Sequence, residues 1–167
     1  SATFEEVIYL LWYKHLPTQA ELTEFKDNLF EAMELPEEIY PHIEYMDFNK
    51  IHPMSALRSI ISLLGAYDPE DSLTHEEAKM EKAIRLQARI LIVITTIARI
   101  RQGKEVLQPK REYSYAENFL YLLKGDPVDP LEAKAFDQAL ILHADHELNA
   151  STFTARVCVA TLSDLYS

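Results

Sequence analysis

The chain has 167 residues, is 48% hydrophobic and 26% charged, and carries a formal net charge of −11. These values are those of an ordinary globular domain, which excludes the low-complexity and disordered classes. The acidic excess makes nucleic acid a poor partner, because an acidic surface repels phosphate backbones. The three glycines are too few and too dispersed for a glycine-rich phosphate-binding loop, and their scarcity disfavours an all-β fold.

The single cysteine and the short apolar runs exclude further classes. One cysteine cannot supply an internal disulfide or a thiolate zinc site. The longest apolar run, ILIVI at residues 90–94, is far shorter than the roughly 18 residues that a membrane span needs. The acidic start, SATFEE, is unlike a signal peptide. We therefore expect a cytoplasmic protein that makes no use of a membrane.

Capping signals and apolar periodicity predict four helices in the first half of the chain. Two of them begin at a capping box, a Thr followed three residues later by Glu, at Thr3 and at Thr18. Prolines begin the next two, since proline is favoured in the first turn of a helix. The predicted helices run from Thr3 to Lys14, from Thr18 along an apolar stripe to Met33, from Pro36 to about Met46, and from Pro53 to a C-terminal cap at Gly65.

Four more helices are predicted in the second half, after a loop at residues 66–73. The first of these is the longest, and its middle is apolar on nearly every side, so we expect it to cross the interior of the protein. The predicted bounds are Thr74 to Gln102 with Gly103 as the stop, Ser114 to Lys124 with Gly125 as the stop, Asp129 to about His143, and about Ala150 to Leu165. The sequence thus predicts an all-α fold, a bundle-like array of helices in one unit that spans residues 1–167.

Both ends of the sequence lie close to predicted helices. Thr3 already caps the first helix, and no polar tail follows the last apolar run before Ser167. We therefore interpret the chain as a segment of a longer protein.

The densest polar cluster is LHADHELN at residues 142–149, between the last two predicted helices. His143 and His146 are three residues apart, a spacing that places two residues on one face of a helix, and Asp145 and Glu147 flank the second histidine. Imidazoles beside carboxylates can bind a metal, relay a proton or hold an anionic substrate. We expect no metal, because a third well-spaced ligand is missing and the helical zinc signature spaces its histidines by four. The simplest alternative is that both histidines are helix-end residues bonded to local carboxylates.

Asn149, the last residue of this cluster, and Ser151, which follows it, are candidates for the N-cap of the last helix. The N-terminus of a helix favours negative charge, because of its dipole and its free amide groups. Beside two histidines, such a terminus permits the binding of a small organic acid, although the pattern does not require it.

Other conspicuous residues are given structural roles. Cys158 lies in an apolar run and is predicted to be buried rather than reactive. Trp12 is predicted to pack, and His52 to lie at the edge of a helix start. Arg99 and Arg101 are expected to complement the dipole at the C-terminal end of the long helix.

Four stretches, in the same order along the chain, resemble bacterial citrate synthases. They are TFEEVIYLL with the LP that follows it, HPMSALR, YAENFLY and ALILHADHELNASTFTARV, so that the resemblance covers essentially the whole chain. The resemblance implies an all-helical homodimer with a large and a small domain. It further implies an enzyme that condenses acetyl-CoA with oxaloacetate and hydrolyses the resulting thioester to citrate and CoA, with no cofactor beyond these substrates.

The resemblance also implies which part of the enzyme this chain represents. The family's catalytic histidines and aspartate belong to stretches such as GPLHGG that do not occur here, so the chain is a piece of the large domain without a catalytic residue, and alone it should be inactive. The second histidine of the HADHE run contacts oxaloacetate or citrate in the family, which assigns substrate binding to His146. Ser151 matches a position that supports a catalytic histidine, and Asn149 and His143 are the expected supporting neighbours. The two helices that flank the run resemble those of the family's dimer interface.

Three other functions stay open at this point. A 2-methylcitrate synthase, which uses propionyl-CoA, shares these motifs, and acyl preference depends on residues outside this chain. A helical interaction or metal-binding module would use His143, His146 and Glu147. A scaffold without chemistry is the third.

Overall fold

The computed structural model describes residues 2–68, 76–145, 147–161 and 163–166, and within them the chain is all-α, as predicted. Eight helices and no strand occur in these ranges. Their bounds are α1 Phe4–Tyr13, α2 Gln19–Glu31, α3 Ile39–Glu44, α4 Pro53–Ala66, α5 Glu76–Arg101, α6 Tyr115–Lys124, α7 Pro130–Ala144 and α8 Ala150–Ala160. None of the described helices is both long and apolar enough to cross a membrane.

Three predicted capping boxes form, and they fix the starts of α1, α2 and α6. The hydroxyl of Thr3 accepts from the Glu6 N–H, and the Glu6 carboxylate accepts from the Thr3 N–H at 2.6 Å. Thr18 with Glu21 and Ser114 with Glu117 make the same two bonds. Each box satisfies amide groups that the helix itself leaves unpaired, at a gain of about 1 kcal/mol. The starts of these helices are therefore determined locally.

The core is built around α5, which runs through the interior as predicted. Ala88, Leu91 and Val93 of this helix are at most 1% exposed. Helices α2, α3, α4 and α6 pack against it. The fully buried side chains around it include Leu29, Ile43, Ile60 and Leu64. Burial of one such side chain stabilises the fold by about 1.5–3 kcal/mol, so tertiary packing holds this group of helices together.

Helices α1, α6 and α7 pack against one another beside this core. In α1, a carboxylate oxygen of the buried Glu5 accepts from the Tyr115 N–H at the start of α6, at 3.1 Å. Asp137 of α7 accepts from the Phe4 N–H at 3.0 Å. Each bond joins a carboxylate to a free amide in the first turn of a different helix, so α7 is held in a defined position on the body of the protein.

Two glycines end helices as predicted, and one does not. Gly103 and Gly125 have φ values of 65° and 89°, the left-handed conformation of a C-terminal cap. Gly65, which the sequence predicts as a cap, lies inside α4, since the helix continues to Ala66. A Cβ on Gly65 would lie 2.8 Å from the Cβ of Tyr166. The glycine is therefore required by a tertiary contact with Tyr166 and not by the end of the helix.

The last helix is shorter than predicted. α8 ends at Ala160 rather than at Leu165, and Tyr166 lies buried in the core a few residues later. The predicted start of the long helix, Thr74, lies outside the described residues.

Two aromatic residues take the structural roles expected of them. The ring of Trp12 packs edge-on against Phe25, with centroids 5.9 Å apart. His52 begins α4, where its Nδ1 accepts from the Met54 N–H at 3.2 Å. The imidazole thus serves as an N-cap, a role that the sequence places only approximately at the edge of the helix start.

Candidate functional site

The described residues of the predicted polar cluster lie at the junction of α7 and α8. α7 is fixed at its start by Asp129, whose carboxylate accepts two N–H bonds from the first turn, at 2.9 and 3.0 Å. The ring of Phe136 stacks on Phe119 with centroids 4.8 Å apart, and Ala144 packs against the core. The helix therefore presents its last turn, which carries His143, from a well-supported position.

His143 is exposed, and its ring is oriented by a bond to the backbone. Its Nδ1 lies 2.7 Å from the carbonyl oxygen of Ala139. Because a carbonyl only accepts, Nδ1 carries the hydrogen, and Nε2 of the neutral ring keeps its lone pair for another partner. The partner of His143 is thus a backbone carbonyl, which corrects the alternative in which it is bonded to a local carboxylate. Nε2 can accept a hydrogen bond or, when protonated, donate one to an anion.

The spacing argument that places His143 and His146 on one helix face is wrong. α7 ends at Ala144, and Asp145 is extended, with φ −133° and ψ 122°. A shared face requires the helix to continue through the second residue of the pair, and this one stops before it. His146 itself lies outside the described residues, so its role in substrate binding stays a prediction.

The turn after α7 is held by local hydrogen bonds. Oδ1 of Asp145 accepts from the Glu147 N–H at 3.0 Å, and the Glu147 carbonyl accepts from the Asn149 N–H at 3.1 Å. Glu147 has a φ of 55°, a left-handed conformation that costs a non-glycine residue on the order of 1–2 kcal/mol. Backbone conformations of this kind are concentrated at functional sites. The described residues on the two sides of position 146 are therefore joined by hydrogen bonds.

Asn149 is the N-cap of α8, one of the two residues predicted for this role. Its Oδ1 accepts from the Thr152 N–H at 2.8 Å, and its carbonyl accepts from the Phe153 N–H at 2.9 Å. Ser151 is not the cap; it lies exposed in the first turn. No described residue outside the helix accepts from the amides of Ala150 and Ser151. These two N–H groups and the helix dipole favour an anion at the start of α8.

Metal binding finds no support in the described part of the chain. No group of three or more His, Cys, Asp or Glu side chains is placed there to hold an ion. A set that includes His146 lies outside this statement.

The surface of α8 is apolar and exposed. No residue of the helix is buried, and among the described elements no other helix packs against it. Phe153, Val157 and Val159 are 59%, 49% and 55% exposed. Cys158, predicted to be buried, is only partly so. The prediction fails because no described helix packs against α8 to cover Cys158.

One buried polar cluster has no counterpart among the sequence predictions. Tyr166 donates its hydroxyl hydrogen to Asp68, whose carboxylate is also paired with the Arg85 guanidinium at 3.1 Å. Burial, followed by the hydrogen bond to Asp68, raises the pKa of Tyr166 to about 12, so the phenol stays protonated and keeps its donor. The signal is absent from the sequence because the fold joins residues 98 positions apart.

The comparisons with known proteins match the whole chain. The sequence model of the family described as "Citrate synthase, C-terminal domain" matches residues 1–167. The chain is 53% identical over 167 residues to "Citrate synthase 2" of Bacillus subtilis, covering 100% of this chain and 45% of that protein. It is 36% identical over 165 residues to a 2-methylcitrate synthase of Mycobacterium tuberculosis, covering 99% of this chain and 41% of that protein. The crystal structure of citrate synthase from Pyrobaculum aerophilum superposes with a TM-score of 0.92 at 37% identity, covering 99% of this chain and 43% of that one.

The all-α array is thus the architecture of a known class of proteins, whose solved structures it matches closely. More particularly, the chain belongs to the citrate synthase family. It spans less than half the length of the relatives it matches, 45% of the Bacillus subtilis protein.

Proposed function

We propose that this chain is part of a citrate synthase of the tricarboxylic acid cycle, which condenses acetyl-CoA with oxaloacetate and water to form citrate and CoA. The observation that carries the proposal is the match along the entire chain, at 53% identity to a citrate synthase. A cytoplasmic location and the use of no cofactor beyond the two substrates belong to the same proposal.

The contribution of this chain is the binding of oxaloacetate at the α7–α8 junction. His146 is the proposed contact to the substrate, and its described neighbours in the sequence, Asp145 and Glu147, are joined by a hydrogen bond. The free amides at the start of α8 and Nε2 of His143 offer further polar contacts to a dicarboxylate. The residues that move protons during the reaction are proposed to lie outside this chain.

A chimera tests this assignment. We expect that the Bacillus subtilis citrate synthase, with its matching segment replaced by this chain, releases CoA from acetyl-CoA only when oxaloacetate is present. The isolated 167-residue chain should release none. In the chimera, His146→Ala should lower kcat/KM for oxaloacetate about 10- to 100-fold, since a hydrogen bond to a charged group contributes about 1.5–3 kcal/mol. The measurement is a thiol-release assay at varied oxaloacetate.

The control for this experiment is His42, an exposed histidine elsewhere in the protein. His42 lies on α3, a helix that does not pack against α7, so His42→Ala should leave the rate unchanged. A folded chimera without activity, or equal rates for His146→Ala and the unmodified chimera, would contradict the assignment.

A 2-methylcitrate synthase is the second candidate, favoured by the match at 36% identity. The higher identity to a citrate synthase, 53%, favours the first candidate. Relative rates with acetyl-CoA and propionyl-CoA, measured on the complete natural protein, distinguish the two.

We further propose that two copies associate through α8 as a homodimer. The exposed apolar side chains of this helix form a surface that a monomer would leave in water. Before α8 in the sequence, Leu142 and Leu148 are also exposed, at 75% and 59%. A second copy of the same helix would cover the surface of α8.

Light scattering on the isolated chain tests this association. We expect a particle larger than the 19.3 kDa monomer at micromolar concentration, and Phe153→Asp should shift it toward the monomer, because a carboxylate at the centre of an apolar contact loses its water. The matched control is Tyr45→Asp. It adds the same charge at a residue that is 90% exposed and lies after α3, far from α8 in the sequence. A 19 kDa particle at every concentration would refute the dimer.

A further inference from the structure

The segment after α8 returns to the body of the protein through a single side chain. Tyr166 is 5% exposed, whereas Asp164 and Leu165 before it are exposed. The N–H of Tyr166 donates to Oδ1 of Asp164 at 2.7 Å, which closes the turn that directs the ring inward. The aromatic side chain is thus the point at which the end of the described chain is anchored.

The seat of this ring is made by Gly65. A Cβ at that position would lie 2.8 Å from Cβ and 3.1 Å from Cγ of Tyr166. Carbon atoms do not approach so closely, so any side chain at position 65 would displace the tyrosine. The contact with Tyr166 therefore explains why position 65, inside α4, has no side chain.

The hydroxyl of Tyr166 is bound as specifically as its ring. It donates to Oδ2 of Asp68, and the other carboxylate oxygen of Asp68 lies 3.1 Å from Nη2 of Arg85. The side chain of Asp68 is completely buried. A hydrogen bond to a buried carboxylate is stronger than one between neutral groups, so Tyr166 joins the end of α4 to α5.

Between Ala144 and Tyr166, no described residue is buried. α8 itself makes no contact with another described helix. An isolated helix of 11 residues is marginal in water, since such helices need about 12–15 residues even with favourable sequences. The position of α8 within one copy of the chain is therefore determined at its two ends, by the turn after α7 and by Tyr166.

We propose that Tyr166, seated on Gly65 and hydrogen-bonded to the Asp68–Arg85 pair, is a latch that holds the C-terminal end of α8 and makes Tyr166 a positioning residue for the substrate-binding turn at the other end of that helix. The latch itself follows from the contacts above. Its effect on substrate rests on the proposed function.

In this proposal α8 is held at its N-terminal end by the turn after α7 and at its C-terminal end by Tyr166. At 1.5 Å per residue, 11 residues make a helix of roughly 16 Å. When the C-terminal support is released, the helix can swing about the turn at 145–149, and the amides at its start move relative to His143. Binding of a dicarboxylate at this turn then requires the swing to be frozen, which weakens binding without altering the reacting groups.

The contact between the ring and the glycine is tested by the effect of Gly65→Ala on the urea midpoint of unfolding, measured with and without Tyr166. In the isolated chain, Gly65→Ala should lower the urea midpoint of unfolding, although alanine is the better helix former. In a Tyr166→Gly background, which removes the Cβ and the ring, the same change should be neutral or raise the midpoint. If Gly65→Ala destabilises both backgrounds equally, the proposed contact between Gly65 and Tyr166 is wrong.

The latch is tested by hydrogen exchange, independently of any activity. In the isolated chain, at a concentration at which it is monomeric, Tyr166→Phe should raise amide exchange in α8 about 10- to 100-fold, the effect of one charged hydrogen bond. Exchange at residues 88–97 of the α5 core should stay the same. Tyr45→Phe, at a 90% exposed tyrosine, is the matched control. Unprotected α8 amides in the unmodified chain, or equal acceleration in α5, would overturn the latch.

Positioning is tested by kinetics in the chimera described above. Tyr166→Phe should raise KM for oxaloacetate about tenfold and leave kcat within about twofold, because the reacting groups are unchanged. A fall in kcat with KM unchanged, or no effect on either constant, would overturn the positioning role. If the chimera is inactive, the proposed function fails, while the exchange experiment still decides whether the latch exists.

Discussion

Asn118→Asp is expected to lower the free energy of unfolding of this chain by about 3–5 kcal/mol. The side chain of Asn118 is 1% exposed and has every polar atom in use. Its Oδ1 accepts from the Lys110 N–H at 2.8 Å, and its Nδ2 donates to the carbonyls of Lys110 and Tyr113 at 2.9 and 3.1 Å. One amide group thus fixes the loop between α5 and α6.

The aspartate substitution reverses the chemistry at this position without changing its size. A carboxylate only accepts, so the oxygen that replaces Nδ2 would face two carbonyl oxygens. Both of the hydrogen bonds that Nδ2 donates are lost, and a charge is buried with only the Lys110 N–H to donate to it. Protonation would relieve part of this cost. Because burial raises the pKa of such a carboxyl in the folded state, the loss of stability should shrink as the pH falls from that raised pKa to the ordinary carboxyl range, and should change no further below it.

Urea unfolding followed by circular dichroism measures this loss. Asn28→Asp is the matched control, since Asn28 is exposed on α2 and the substitution adds the same charge; its effect should stay within about 0.5 kcal/mol. Equal midpoints for the two variants would show that the loop is not held by Asn118.

The helix starts were predictable because their causes lie within four residues of sequence. Thr3 and Ser114 cap their helices through a glutamate three positions later, and Asn149 caps α8 through the amide of Thr152. Such bonds form in any context that allows the helix to form at all. A single sequence therefore contains enough information to place them.

The predictions that failed concern residues whose surroundings depend on parts of the protein distant in sequence. Gly65 has the composition of a helix stop and yet lies inside α4, since Tyr166 occupies the space beside it. The burial predicted for Cys158 required a covering element that the described chain does not supply. No local pattern contains either fact.

At the candidate site, some features could be predicted from the local sequence and others could not. The run that contains His143 and Asn149 was identifiable from its polar residues and its resemblance to citrate synthases. The one-face geometry assumed for His143 and His146 was wrong, because the last turn of α7 ends at Ala144. The end of a helix is set by small differences in free energy and is the least predictable part of it. The substrate contact assigned to His146 remains a prediction that the chimera tests.

Gly125→Ala is expected to cost about 3 kcal/mol of stability, well above the cost of the same change at Gly103. Both glycines are left-handed C-terminal caps, with φ of 89° and 65°. Any residue with a Cβ incurs about 1–2 kcal/mol in that conformation. At Gly103 a Cβ would meet nothing within 4 Å, whereas at Gly125 it would lie 2.8 Å from Nη1 of Arg99. The difference between the two variants therefore measures the contact with Arg99.

That contact matters because Arg99 cannot easily move aside. The side chain is 7% exposed, and its Nε donates to the Glu105 carbonyl, which ties the end of α5 to the loop that follows it. Displacement of the guanidinium by a methyl group would break this bond in a buried environment, at a cost of about 1–3 kcal/mol. Urea unfolding of Gly125→Ala and Gly103→Ala, side by side, provides the comparison. Equal losses in the two variants would mean that the guanidinium relaxes freely, and that Gly125 is required by its backbone conformation alone.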